Sequence, residues 1–232
     1  MKLSHGLAVV VLTMTAATVH AEITGTVTAV SDYDFRGVTQ TKQNPALQGS
    51  IDYSHASGFY VGAWGSNVDF GNCCDENVEV DIYAGFRGGD AVTYDVGLIY
   101  YSYPGADSID FPEIYAGIGY KWLSGKIWYS NDFGNYDDST MYYEANANFP
   151  LPANFAVSGH VGYSDGVKAA YGQDNYTDWS VGVTYALGHF TLGLKYVDGS
   201  DLKTLNDTFD DVSSTDARAI FSVSTTFPWS NE

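Results

Sequence analysis

Apolar and polar residues alternate with a period of two along most of the chain after residue 21. This period places successive side chains on opposite faces of a β-strand, so the pattern predicts strands that each have one apolar face. The clearest case is VEVDIYAGF at residues 78–86, with an apolar residue at every second position. The stretch 216–229 has the same pattern and ends in Phe227 and Trp229.

Twelve stretches are predicted as strands, at residues 23–37, 46–55, 59–70, 78–86, 92–103, 113–122, 126–130, 141–149, 155–163, 179–187, 190–196 and 216–229. Long polar loops follow the odd-numbered strands and short turns follow the even-numbered ones. Both termini therefore fall at the end with the short turns, as in outer-membrane β-barrels. We predict an all-β fold, a single up-and-down antiparallel transmembrane β-barrel with short periplasmic turns and longer extracellular loops. Both termini are expected in the periplasm.

Aromatic residues on the apolar faces sort by height into two belts, as an exterior between two membrane interfaces requires. A soluble β-sandwich would bury its aromatic residues centrally instead. The belt at the short-turn end contains Tyr53, Phe59, Phe86, Tyr94, Tyr120, Trp122, Phe149, Phe155, Tyr185, Phe190, Phe227 and Trp229. The belt at the long-loop end contains Tyr33, Phe35, Tyr100, Tyr129, Tyr143, Tyr163, Trp179 and Tyr196.

The N-terminus has the features of a secretory signal. Lys2 precedes an apolar stretch, and Val19 and Ala21 provide small or apolar residues for a signal peptidase. We expect residues 1–21 to be a cleaved signal peptide and residues 22–232 to form the barrel. An N-terminal membrane anchor is the alternative, although the apolar stretch is shorter than a bilayer requires.

Acidic residues outnumber basic residues, 28 against 10, and the formal net charge is −18 at pH 7. This balance excludes nucleic acid as a partner, because phosphate backbones bind basic surfaces. It favours divalent or organic cations near the surface. The expected partners are outer-membrane lipid and lipopolysaccharide, the barrel-assembly machinery and small polar solutes.

Several phrases of the sequence carry a family resemblance. SDYDFRGVTQTKQNPALQGSIDY is followed in order by GFYVGAWGSNVDF, VEVDIYAGF, DVGLIYYSYPG and EIYAGIGY. These phrases resemble the TorF-like family of outer-membrane porins over nearly the whole of residues 22–232, with FRGVTQT and WGSNVDF as the most specific parts. The resemblance implies an outer-membrane barrel of a Gram-negative bacterium with a transport role. It implies no catalytic residues.

The polar faces of the predicted strands are expected to line the interior of the barrel. One interpretation is a hydrated lumen that passes small solutes and favours cations or zwitterions, and the other is a plugged interior that only supports the wall. A count of twelve strands does not decide between them, since a barrel of about eight strands is filled by side chains and one of about sixteen encloses a wide channel. The lumen-lining candidates are Arg36, Glu79, Asp81, Asp95, Glu113, Lys121, Glu144, His160 and Lys195.

Other polar residues allow sharper interpretations, which remain alternatives. Acid clusters in the loops around residues 132–138, 174–178 and 198–211 provide oxygen ligands for calcium or form a solvated surface that meets lipopolysaccharide. Ser158 and His160 share a strand face, which leaves an outer-membrane acylhydrolase as a remote alternative. The adjacent Cys73 and Cys74 form a strained redox pair or copper ligands, or are incidental. We expect no metal site, cofactor or enzymatic activity.

Overall fold

The computed structural model describes residues 22–71, 77–105, 109–200, 202 and 214–229. The strands are β1 Glu22–Val30, β2 Asp34–Phe35, β3 Val38–Thr39, β4 Ala46–Ser54, β5 Phe59–Asn67, β6 Val78–Gly89, β7 Val92–Ser102, β8 Phe111–Tyr120, β9 Leu123–Ser130, β10 Thr140–Pro150, β11 Phe155–Asp165, β12 Asn175–Leu187, β13 Phe190–Gly199 and β14 Arg218–Phe227. The helical elements are the 3-10 turn Phe133–Asn135 and the short helix α1 Lys168–Tyr171.

Strand β1 and strands β4 to β14 form one closed antiparallel barrel in which each strand pairs with its neighbours in sequence. The last strand closes the barrel on the first, with Gly25 opposite Phe227 and Val30 opposite Ser222. The predicted all-β, up-and-down barrel of twelve strands is therefore confirmed. No edge strand is left unpaired in the closed sheet, which allows a barrel to face lipid.

Alternation along the strands separates an apolar exterior from a polar interior. On β6, Ile82 is 58% exposed, whereas its inward neighbour Asp81 is 5% exposed. On β14, Phe221 is 61% exposed and the inward Ile220 is 4% exposed. Exposed apolar side chains of this kind run around the whole wall, an arrangement that suits contact with hydrocarbon and would be unfavourable in water.

The first predicted strand is wrong beyond Val30. Residues 23–37 were expected to form one strand, but β1 ends at Val30 and the chain then turns into the barrel. Positive φ angles at Arg36 (52°) and Gly37 (83°) reverse the direction of the chain, and β2 and β3 pair as a small separate ribbon. The alternation of residues 31–37 continues that of β1, which is why periodicity alone does not reveal the turn.

Smaller differences concern the ends of the elements. β12 begins at Asn175, four residues before its predicted start, and β9 begins at Leu123 rather than at residue 126. Trp122, predicted to end a strand, lies in the tight turn between β8 and β9. The expected signal peptide, Cys73 and Cys74 lie outside the described residues. Among the residues described, no helix is long and apolar enough to cross a membrane.

Candidate channel interior

The interior of the barrel has two halves, which we call the loop half, beside the long loops, and the turn half, beside the short turns. The loop half is occupied by residues 31–41, which we call the inward segment. Asp32, Tyr33 and Val38 in this segment are each at most 8% exposed. The segment therefore folds into the barrel as part of its core.

Aromatic side chains pack the inward segment against the wall. Tyr33 lies edge-on to Trp64 of β5, with ring centroids 5.3 Å apart. Phe35 meets Tyr101 of β7 at 5.8 Å, and Tyr101 stacks on Phe111 at 4.6 Å. Such ring pairs contribute about 0.5–1.5 kcal/mol each beyond the area that they bury. The apolar contacts thus fix the segment at the loop end of β5, β7 and β8.

Ion pairs hold the other side of the inward segment to β13 and β14. The Arg218 guanidinium donates from Nε to Asp32 at 2.5 Å and from a terminal nitrogen to Asp34 at 2.7 Å. A further Arg218 nitrogen donates to the carbonyl oxygen of Gly37 at 3.0 Å. Lys195 Nζ donates to the second oxygen of Asp34 at 2.8 Å. Two cations of the wall therefore neutralise the two acids at the start of the segment.

Arg36 carries the inward segment across the barrel to β8 and β10. Its two terminal nitrogens donate to the two oxygens of Glu113 at 2.9 and 2.6 Å, a bidentate pair. The guanidinium carbon also lies 4.4 Å from the ring centroid of Tyr142. Burial alone would lower the pKa of Arg36, but the Glu113 carboxylate outweighs it and holds the pKa above its ordinary value. The guanidinium is therefore permanently charged.

Tyr33 connects the inward segment to two buried acids of β6. Its hydroxyl donates to Glu79 Oε1 at 3.2 Å, and Asp81 is the next inward residue on the same strand. Burial, reinforced by the charges of Glu79 and Asp81, raises the pKa of Tyr33 well above its ordinary value. The hydroxyl therefore stays protonated and acts as a donor. Glu79 and Asp81 are 1% and 5% exposed.

The turn half of the interior is polar and retains partial contact with solvent. Inward side chains there include half-buried Thr28, Asp52, Asn148 and Thr184 beside buried Tyr60 and Asp95, which are 4% and 0% exposed. The interior is thus filled at the loop end and keeps contact with solvent over part of the turn end. The boundary between the filled half and the partly exposed half lies at the level of the inward segment.

Charged groups of the turn half are held by neighbouring polar side chains. Lys126 Nζ of β9 reaches Asp95 of β7 at 3.0 Å, and the Tyr60 hydroxyl also donates to Asp95, at 2.6 Å. Glu144 accepts from the indole nitrogen of Trp128 at 2.8 Å. Pairing of this kind keeps these groups in fixed positions along the wall.

His160 lies inward on β11 and joins the turn half to the floor of the inward segment. Its Nε2 is 2.8 Å from Asp178 Oδ1, and its Nδ1 is 2.7 Å from Asn146 Oδ1. The Tyr142 hydroxyl lies 3.0 Å from the same Nε2. Glu144 Oε2 lies 3.8 Å from Nδ1, and no described hydrogen bond joins the imidazole to Ser158.

Three of the expected positions require correction. Lys121 was expected in the lumen but lies in the β8–β9 turn with a φ of 55°, exposed, its ammonium 5.1 Å from the ring of Tyr120. The turn residue does not follow the alternation of the strand before it. Tyr33, expected in the outer aromatic belt, points inward and is 8% exposed, because the chain leaves the wall at Val30. Phe35 follows the same course.

The structure places the other named residues as follows. Arg36, Glu79, Asp81, Asp95, Glu113, Glu144, His160 and Lys195 lie inside the barrel, with the contacts given above. Tyr143, Trp179, Trp122, Phe149, Phe227 and Trp229 are exposed on its exterior.

Three residues that sequence reasoning did not include among the lumen candidates, Arg218, Lys126 and Asp178, also contribute to the interior network. The alternation along β14 indicates that Arg218 faces inward, but its partners lie on the inward segment and are known only from the structure.

The residues that the structure describes contain no group of three or more His, Cys, Asp or Glu side chains arranged to hold a metal ion. In the loop around residues 174–178, Asp174 pairs with Lys168 at 3.7 Å, and both side chains are largely exposed. Asp201, Asp207, Asp210 and Asp211 lie outside the described residues, so the calcium interpretation of that loop stays a prediction.

Comparison with known proteins decides the family. The model of a family of bacterial proteins of unknown function, Gcw_chp, matches residues 14–227. The chain belongs to the Gcw_chp family. A search of curated proteins finds no match.

Solved structures share the architecture. A NanC porin matches with a TM-score of 0.57 at 11% identity over 88% of this chain and 100% of that one. A KdgM porin in complex with disordered oligogalacturonate matches with a TM-score of 0.55 at 9% identity over 90% and 100%. A second KdgM porin structure gives 0.53 at 8% identity over 89% and 99%. At these identities the likeness shows that the chain has the fold of a porin barrel.

Proposed function

We propose that this protein is a narrow outer-membrane channel for small polar solutes, constricted by its inward segment. The observation that carries the proposal is the polar, partly exposed interior of a closed barrel whose exterior is apolar. A barrel needed only as an anchor has no physical reason to keep a hydrated interior. The TorF-like resemblance and the porin fold support the same function.

The orientation and partners follow from the same proposal. Residues 1–21 direct export, and the barrel-assembly machinery inserts the chain with both termini and the short turns in the periplasm. The long loops then meet lipopolysaccharide outside the cell, and the apolar wall meets lipid. The periplasmic side would open into the hydrated turn half, while solutes from outside would first meet the inward segment.

The charges of the interior favour cations and zwitterions over anions. Inward carboxylates are more numerous than inward cations, and Asp52 and Glu144 in the turn half are held by neutral donors. A low-dielectric wall lined by one sign of charge raises the local concentration of ions of the other sign. The inward acids are Asp32, Asp34, Asp52, Glu79, Asp81, Asp95, Glu113, Glu144 and Asp178, and the inward bases are Arg36, Arg87, Lys126, Lys195 and Arg218.

One observation favours a second function, a barrel that does not conduct. The inward segment buries aromatic rings and ion pairs across the loop half, where the inward side chains described above are almost entirely buried. A barrel sealed in this way would act through its acidic external loops, in adhesion or in contact with lipopolysaccharide and divalent cations. The two functions differ in one measurable property, the passage of solutes.

Liposome swelling distinguishes the two functions. Proteoliposomes that contain the folded barrel are diluted into isotonic solutions of a neutral sugar, an amino acid, a small amine and a small carboxylate of similar size. We expect swelling with the amine and the amino acid, and slower swelling with the carboxylate. Liposomes with heat-unfolded protein are the control. A folded barrel that admits none of the four solutes would support the non-conducting function.

A further inference from the structure

The acid pair of β6 is buried, and none of the inward cations that the structure describes forms an ion pair with it. Glu79 Oε2 and Asp81 Oδ1 have no hydrogen-bond partner among the described residues. Arg36 is engaged by Glu113, and Arg218 and Lys195 are engaged by Asp32 and Asp34. Two buried carboxylates without a cation are costly, because burial separates them from bulk solvent and no opposite charge compensates them.

The geometry of the pair suits a shared proton. Glu79 and Asp81 are successive inward residues of one strand, so both carboxyl groups project from the same face of β6. A proton between two such carboxyl groups satisfies orphan oxygens and removes one negative charge, as in other buried carboxyl pairs. The remaining charge is then stabilised by the donors on the other side.

One such donor is Tyr33 of the inward segment, whose hydroxyl bonds Glu79 Oε1 at 3.2 Å. Tyr103, which follows β7, also faces the pair. The other titratable groups that face the pair are Tyr101 and Glu113, and Glu113 is already bound to Arg36 and to the Tyr101 hydroxyl at 3.0 Å. Of these contacts, only the one through Tyr33 joins the acid pair directly to the inward segment.

We propose that Glu79 and Asp81 share one proton and that this proton helps the ion pairs of Arg36 and Arg218 to hold the inward segment in the barrel, so that its loss loosens the segment. With the proton bound, the pair carries a single charge and Tyr33 closes over it. When the pH rises and the proton leaves, two adjacent carboxylates repel each other in a buried site. Water must then enter, which requires the segment to separate from β6. The closed state binds more protons than the released state, so acid favours closure and alkali favours release.

Hydrogen–deuterium exchange of the whole folded protein in lipid nanodiscs tests this inference. The amides of the inward segment are followed between about pH 5 and about pH 9, with correction for the intrinsic pH dependence of exchange. We expect protection of the segment to fall by up to about tenfold per pH unit, the limit for one linked proton. Barrel strands such as β11 should show no such change. Equal protection of the segment across the whole range would overturn the proposal.

Substitutions assign the effect to the pair. Glu79→Gln keeps a neutral hydrogen-bonding group for Tyr33 and should hold the segment protected at every pH. Asp81→Asn should act in the same way and serves if the first variant does not fold, as judged by heat-modifiable mobility. Asp174→Asn, an exposed loop carboxylate, is the matched control and should keep the wild-type response. A full pH response in both folded pair variants would overturn the proposal.

The consequence for transport rests on the proposed function. Conductance measured in parallel with segment exchange tests the channel and the proton site separately. Conductance that rises with pH together with segment exchange supports both. Exchange that responds to pH in a protein that never conducts supports the proton site and contradicts the channel. Conductance with a segment that does not respond supports the channel and contradicts the proton site.

Discussion

Arg36 makes a buried, bidentate ion pair that holds the inward segment against β8. It is the only described cation that bonds Glu113, and its guanidinium also covers the Tyr142 ring. Removal of one member of a buried pair leaves the other charge uncompensated, which typically costs about 3–5 kcal/mol. Lysine would keep the charge but lose the bidentate geometry.

We therefore expect Arg36→Ala to release the inward segment and to lower the stability of the barrel by about 3–5 kcal/mol. Urea unfolding in lipid measures the stability, and exchange of the segment amides measures the release. Arg36→Lys should recover part of the loss. Lys168→Ala, at an exposed loop position, is the control and should change neither quantity. Wild-type protection of the segment in Arg36→Ala would show that the pair does not hold it.

Adjacent residues of β14 test which face of the wall meets lipid. Val223 is 44% exposed on the exterior, whereas Ser222 is half-buried and faces inward at nearly the same height. A lysine on the lipid face near mid-bilayer costs about 2–4 kcal/mol, while a lysine in a hydrated interior costs much less.

Val223→Lys should therefore destabilise the barrel by about 2–4 kcal/mol and Ser222→Lys by a small fraction of that. The free energy of unfolding in lipid vesicles gives both values. In a detergent micelle, which adapts to the charge, the free energies of unfolding of the two variants should differ less. Equal losses at the two sites in vesicles would mean that the assignment of the faces is wrong.

At the scale of elements, the strands of the wall could be predicted and the inward segment could not. Strand residues obey a local rule, since one face of each strand is apolar and the period is two. The inward segment obeys the same local rule through Tyr33 and Phe35 and therefore resembles a continued strand. What diverts it is the set of long-range partners, Arg218 on β14 and Glu113 on β8, together with the positive φ of Arg36 and Gly37. No local pattern encodes those contacts.

The residues of the candidate site also fall into those that the sequence predicts and those that it does not. Glu79, Asp81 and Asp95 could be assigned to the polar face of their strands from alternation alone. Lys121 could not, because it sits where the strand gives way to a turn and the alternation no longer applies. The pairing of Glu113 with a residue of the inward segment, rather than with a neighbouring strand, required the three-dimensional structure. Periodicity thus predicts the face of the strand on which a residue lies, but not the residue with which it pairs.

At the scale of the molecule, the barrel combines three layers with separate roles. The apolar exterior suits lipid, the hydrogen-bonded wall is closed without an edge, and the polar interior is divided by the inward segment. Val30 and Ala46, the residues that flank the segment, are directly opposite each other on β1 and β4. A two-residue Asn-Gly turn could therefore replace residues 31–45 and leave every strand of the wall in place. This shortened barrel separates the wall from its constriction.

Single-channel recording in planar bilayers, under a potassium chloride gradient, tests the central claim that this is a narrow, segment-constricted channel. We predict small discrete current steps for the wild-type barrel, larger steps for the shortened barrel and a reversal potential that indicates preference for potassium. Both proteins must first show heat-modifiable mobility, so that folding is established. Silence from both folded barrels would contradict the channel, and equal steps from the two would contradict the role of the inward segment.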